Sequence, residues 1–176
     1  MADPLARLQR LTEQELLWCL RFNRAVRKRG VERLFAVVSR LGDGIFWYCL
    51  MACLMLIDGL AALPALGRMI TAGAMGLFLY RWLKTKTTRP RPCDHTLLIR
   101  VTVAPLDTYS FPSGHTLHAV SFSLVAIFYY PRLAWLVIPF TGLVAVSRLV
   151  LGLHYPSDVL AGALLGATLA TLALQF

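Results

Sequence analysis

Residues 112–158 read PSGHTLHAVSFSLVAIFYYPRLAWLVIPFTGLVAVSRLVLGLHYPSD. Two apolar runs, 115–130 and 133–150, lie on either side of Pro131 and Arg132. A helix needs about 20 apolar residues to cross the hydrocarbon core of a bilayer. The second run approaches that length, and the first is short enough that its ends dip into the interface. Pro131 cannot continue a helix, and Pro139 is expected to kink the second run. The chain therefore goes across and comes back. That returns the polar residues before the first run, Pro112 to His115, to the same side as those after the second, Ser147 to Asp158.

Working outward, runs 44–63 and 66–83 precede this pair and run 158–176 follows it. Asp58 interrupts the earliest near its end. Gly162 and Gly166 form a small-xxx-small pattern that favours close helix packing. The expected fold is an all-α, polytopic transmembrane helix bundle of about five spans, residues 44–176. The composition fits: 57% hydrophobic with a mean hydropathy of +0.62, and only 15% charged. Residues 1–43 differ. Leu16, Leu17 and Leu20, then Val31, Leu34, Phe35 and Val38, recur at helical spacing around a basic stretch holding Arg24, Arg27, Lys28 and Arg29. They predict two amphipathic helices lying at the membrane interface. Met1 to Leu11 is too polar for a secretory leader. The four cysteines lack metal-ligand spacing; Cys49 and Cys53 read as small apolar packing residues within a span. The net charge of +9 is explained by a membrane surface and bound phosphate, and no nucleic-acid partner is expected.

The second run ends at Lys84, where KTKTTRPRP (residues 84–92) begins. If that run rises to the same face, three polar clusters meet there. Lys84 and Arg91 stand seven apart, with Pro90 and Pro92 favouring extended backbone around Arg91. A guanidinium grips two phosphate oxygens with a planar fork, and an ammonium acts as a point charge. Taken alone, this cluster reads equally well as a solvated loop at a span end. Ser113 is a natural N-cap for the helix beginning near His115. Free amides at that end attract anions, and Gly114 lets the backbone approach one. His115 stands ready as a proton donor, whereas His118 reads as a hydrogen-bonded packing residue. Arg148, His154 and Asp158 form the most specific cluster: Asp158 can orient one ring nitrogen of His154 and free the other as a nucleophile. If the proline-rich stretch is polyproline II, Arg89 points away from Arg91, whereas in a regular strand the two would share a face; Arg89 is expected to meet only headgroups or water. Asp94, His95 and Asp107 fit no metal-ligand spacing, so neither a metal nor a cofactor is expected.

Together the clusters resemble the type 2 phosphatidic acid phosphatase superfamily of membrane lipid phosphatases, whose signature is K-x6-R-P, P-S-G-H and S-R-x5-H-x3-D. Every defining position is matched: Lys84, Arg91 and Pro92; Pro112, Ser113, Gly114 and His115; Ser147, Arg148, His154 and Asp158. The amphipathic start and short length look like the smaller bacterial members, including undecaprenyl diphosphate phosphatases. The resemblance implies that His154 attacks phosphorus to give a phosphohistidine, oriented by Asp158, and that His115 protonates the leaving oxygen. It implies a phosphate cage of Lys84, Arg91 and Arg148, helped by Ser113 and the Gly114 amide, which works without a metal.

The expected partners are a lipid phosphate substrate and the surrounding membrane lipids. Undecaprenyl diphosphate leads, with phosphatidylglycerophosphate and phosphatidic acid as alternatives. A soluble vanadate-dependent haloperoxidase, which shares the cage pattern, would not carry five apolar runs. A headgroup-binding transporter would have no need of a paired His154 and Asp158 opposite His115. Sixteen Lys and Arg residues fall on the cluster side, nine of them before Gly44, against Arg68 and Arg132 on the other. Read literally, that count puts the clusters in the cytoplasm. Several of those charges belong to the phosphate cage, however, and the resemblance implies a bacterial inner-membrane protein with an outward-facing site.

Overall fold

A computed structural model of the chain describes residues Pro4–Phe176. Every regular element among them is helical. Eight α-helices follow in order: α1 Pro4–Asn23, α2 Arg29–Arg40, α3 Phe46–Asp58, α4 Leu63–Thr87, α5 Pro92–His95, α6 Gly114–Tyr129, α7 Ala134–Val150 and α8 Pro156–Gln175. By length and composition, three helical stretches could cross a membrane: Arg29–His95, which contains α3 and α4, then Pro131–Val150 and Pro156–Gln175. α6 is apolar but shorter. These supply the five expected crossings, with one change. The run expected over 44–63 is a 13-residue helix followed by a 3-10 turn. Gly44 (φ 135°) and Gly59 (φ 55°) hold backbone angles that ordinary residues rarely adopt, and they break the helix at both ends. Pro139 lies inside α7 without ending it.

α6 is the hub of the bundle, packed against α4, α7 and α8. Leu117, Ala119, Val125 and Ala126 on its surface are fully buried. α8 comes closest, because Gly162 and Gly166 present bare backbone to it. A Cβ on Gly162 would stand 2.5 Å from the Ser113 carbonyl oxygen, and one on Gly166 would strike that of Leu117. Between α6 and α7, the hydroxyls of Ser123 and Thr141 lie 2.7 Å apart, and Thr141 also donates to the Ala119 carbonyl at 3.2 Å. In an apolar bundle such small-residue seams and interhelical hydrogen bonds replace the hydrophobic driving force available in water. Leu56, Phe78, Trp135 and Leu164 face outward, as a lipid-contacting surface requires. Cys49 and Cys53 also face outward, so they do not pack inside the bundle as expected.

α2 leads through a π-helical turn, Leu41–Ile45, into α3, and α2 packs along α7. Phe46 stacks on Phe140 of α7 with ring centroids 3.8 Å apart. α1 touches both α7 and α8.

The α6–α8 seam makes a direct prediction. Gly162→Val should destabilise the protein by about 1–3 kcal/mol, because neither backbone can withdraw without opening the seam. A thermal-shift measurement in detergent checks this. An unchanged melting temperature would show that the two helices do not approach so closely.

Candidate active site

The last turn of α7 sets the site. Ser147 donates its hydroxyl to the Val144 carbonyl at 2.6 Å and accepts from Arg148 Nε at 3.0 Å. The chain then doubles back tightly: the amides of Leu153 and His154 both donate to the Arg148 carbonyl, at 3.0 and 3.2 Å. These bonds satisfy the helix end and swing His154 back over Arg148. Pro156 then opens α8, and Asp158 caps it by accepting from the Tyr155 amide at 2.8 Å.

The second and third pieces arrive from α6 and from the chain between α4 and α6. Ser113 is the N-cap of α6, accepting from the Thr116 amide at 3.5 Å and lying 3.0 Å from its hydroxyl. Ser113 is buried and its side chain does not line the cavity, whereas Gly114 and His115 do. His118 bonds the Gly114 and Gly73 carbonyls, at 2.9 and 3.2 Å, and also reaches the cavity wall. Arg91 has extended backbone (φ −80°, ψ 157°). Its Nη1 donates to the Leu153 carbonyl at 2.7 Å and lies 3.4 Å from His154 Nε2. Lys84 donates to the Tyr109 carbonyl at 2.6 Å and pairs with Asp107 at 2.8 Å.

Lys84, Arg91, His115, Arg148 and His154 thus line one cavity of about 420 Å³. Apolar and aromatic side chains line it as well, including Trp47, Met51, Ile70, Leu77 and Phe122. Lys84, Arg91 and Arg148 are all buried. Asp107 meets the first two, at 2.8 and 3.6 Å. Arg148 makes no ion pair among the described residues, and its Nη2 has no hydrogen-bond partner. Burying cations without matching anions is costly, so the arrangement favours an anionic ligand.

His154 lies in the turn between α7 and α8 and is buried. Burial pushes its pKa well below the usual histidine range, and the Arg91 and Lys84 charges push the same way against Asp158. The ring is neutral near pH 7 and carries a free lone pair. Nδ1 faces Asp158 Oδ2 at 3.6 Å, too far for a hydrogen bond, and has no other partner.

Two contacts escaped the sequence. His115 pairs with Asp43, which sits at the π-turn before α3. Arg89 does not meet only headgroups or water: its side chain is 22% exposed, and it pairs with Asp158 at 2.7 Å and with Glu15 at 2.6 Å. Arg89 and Arg91 do reach different targets, but both targets are internal. Among the would-be metal residues, Asp107 faces Lys84 and Asp94 accepts from the Arg91 amide at 3.1 Å, while His95 lies against the Tyr155 ring.

A family model described as the PAP2 superfamily matches residues 61–176. The chain belongs to the PAP2 superfamily. Decaprenylphosphoryl-5-phosphoribose phosphatase of Mycobacterium tuberculosis is 32% identical over 141 residues, covering 77% of this chain and 74% of that protein. Undecaprenyl-diphosphatase of Sulfolobus acidocaldarius is 38% identical over 68 residues, 38% of this chain and 33% of its own length. Matches of this shorter kind span about a third of the relative or less. Among solved structures, Aquifex aeolicus LpxE superposes with a TM-score of 0.76 at 26% identity, covering 91% of this PAP2 chain and 93% of LpxE. With its apolar helices, the chain is an integral membrane protein of this superfamily.

Proposed function

We propose that this chain is a membrane phosphatase that removes the terminal phosphate of a lipid phosphate or diphosphate, with undecaprenyl diphosphate as its leading substrate. The observation that carries the reading is the buried trio Lys84, Arg91 and Arg148 beside His154 and His115, in a cavity also lined by many apolar and aromatic side chains. Relatives named for polyprenyl-linked phosphates support the substrate class. Phosphatidylglycerophosphate and phosphatidic acid would present the same terminal group.

In this reading the three cations hold the nonbridging phosphoryl oxygens, and Arg148 Nη2 supplies a donor that has no other use. The Ser113 cap aims the first amides of α6 at the same anion. His154 Nε2 attacks phosphorus. The P–O bond to the leaving group breaks, and that oxygen takes a proton from His115, which Asp43 holds in place. Water then attacks the phosphohistidine, giving its proton to His115, and His154 is released as inorganic phosphate forms. Side-chain cations supply the charge stabilisation, so no metal is required. Residues 1–43 would lie at the interface of a bacterial inner membrane, with the site facing outward.

Phosphate release from the three lipids in detergent tests the reading. Turnover should be greatest with undecaprenyl diphosphate, survive EDTA and be inhibited by vanadate, which mimics five-coordinate phosphorus. Activity lost on chelation and restored by Mg²⁺ would overturn the metal-free mechanism. A protein that binds these lipids but releases no phosphate would be a headgroup binder.

A further inference from the structure

Glu15, Cys19 and Asn23 stand four residues apart on α1 and therefore share one face of that helix. That face lies along the turn that carries His154. Asn23 donates to the Val150 and Arg100 carbonyls, at 3.0 and 3.1 Å, and accepts from the Arg100 amide at 2.8 Å. Cys19 Sγ is 3.6 Å from the His154 carbonyl oxygen. Glu15 accepts from the Ser157 amide at 2.8 Å through one oxygen, and from Arg89 Nη2 at 2.6 Å through the other.

Arg89 passes the contact inward. Its Nη1 reaches Ser157 Oγ and Asp158 Oδ1, both at 2.7 Å, and its guanidinium carbon lies 4.1 Å from the centroid of the Tyr155 ring. Asp158 is fully buried, and Arg89 is its Lys or Arg partner among the described residues. With Oδ1 on Arg89 and Oδ2 on the Tyr155 amide, the carboxylate cannot rotate freely. The orientation it keeps turns Oδ2 toward His154 Nδ1. Removing the guanidinium would leave a buried carboxylate without its cation, free to turn away from the imidazole.

We propose that Arg89 and Glu15 are positioning residues of the reaction: Arg89 sets the Asp158 carboxylate against His154, and Glu15 of α1 holds Arg89 there. The inference rests on His154 being the nucleophile. It extends the working site to a helix outside the stretch matched by the family model, residues 61–176. Neither residue lines the substrate cavity, so they influence the chemical step and not the grip on phosphate.

The test measures kcat, KM and melting temperature for Arg89→Gln, Arg89→Lys, Glu15→Gln and the Glu15→Gln/Arg89→Gln double variant, on one lipid phosphate in detergent. Arg89→Gln should lower kcat roughly ten- to hundredfold, the scale of a lost charge-assisted hydrogen bond, with KM within about twofold. Arg89→Lys should recover part of the loss, because an ammonium keeps the charge but cannot span Glu15, Ser157 and Asp158 together. Glu15→Gln should lower kcat several-fold, and the double variant should be no worse than Arg89→Gln, as expected for residues in one chain of contacts. Wild-type kcat in folded Arg89→Gln, or a rise in KM with kcat unchanged, would overturn the proposal. So would a fall in kcat that merely tracks the folded fraction. If Arg89→Gln does not fold, Glu15→Gln decides alone, and wild-type kcat there overturns the role of α1. His154→Ala runs alongside: an active His154→Ala removes the nucleophile reading itself. An inactive one beside an unaffected Arg89→Gln removes only the positioning role.

Discussion

His154→Ala is expected to abolish phosphate release, by about three orders of magnitude or more, while the protein still folds. The size follows from the position. Among the described residues, the ring is the one buried nitrogen base beside the cation trio whose lone pair is not consumed by a strong hydrogen bond: Nδ1 has no partner, and Nε2 is only loosely opposed to Arg91. Loss of a covalent nucleophile leaves only the binding and electrostatic contributions of the cage. The side chain touches no outer surface, and the turn is held by backbone bonds to the Arg148 carbonyl, so the fold does not depend on the imidazole. Single-turnover phosphate release together with a melting curve checks both halves. A folded His154→Ala protein with near-normal turnover would take His154 out of the mechanism.

Arg148→Lys should be nearly as damaging, with kcat falling about a hundredfold or more. Arg148 lines the cavity, is anchored through Nε to Ser147 and leaves its buried Nη2 without a hydrogen-bond partner. A lysine cannot keep the anchor and also offer a second, fixed donor to a phosphoryl oxygen. An ammonium buried here would also lose the Ser147 contact that aims the side chain. The measurement is kcat and vanadate inhibition in the lysine variant: both should weaken together, since vanadate occupies the same oxygen positions. If Arg148→Lys keeps most of its activity, phosphate is held by other groups.

Much of the bundle was legible because hydropathy and length report directly on membrane spans, and because Pro131 forces the chain to reverse between two apolar runs. The three clusters were legible for the same reason: each sits at the end of a run, and the alternating direction of the runs brings the ends together. The extent of α3 was not, because apolar composition continues past the points where Gly44 and Gly59 change the backbone. Arg89 was misjudged because its neighbours suggest a solvated loop, while its partners are remote in sequence: Glu15 is 74 positions away and Asp158 is 69. Asp43 gave no signal beyond a carboxylate between two glycines. Its partner His115 lies 72 positions along the chain, and only the docking of the α2–α3 turn against α6 joins them. Ser113 was read correctly as a helix cap, but burial of its hydroxyl against Thr116 depends on how closely α8 approaches, which no local pattern encodes.

Asp107 gives the resting protein a counter-ion of its own. Its carboxylate lies against both Lys84 and Arg91, where an incoming phosphate would seek the same charges. Ligand arrival is therefore an exchange of one anion for another, and its free energy is a difference between two ion pairings. If the trio holds phosphate as proposed, Asp107 sets the charge that a ligand must exceed: one bearing more than a single carboxylate's charge would displace it most readily.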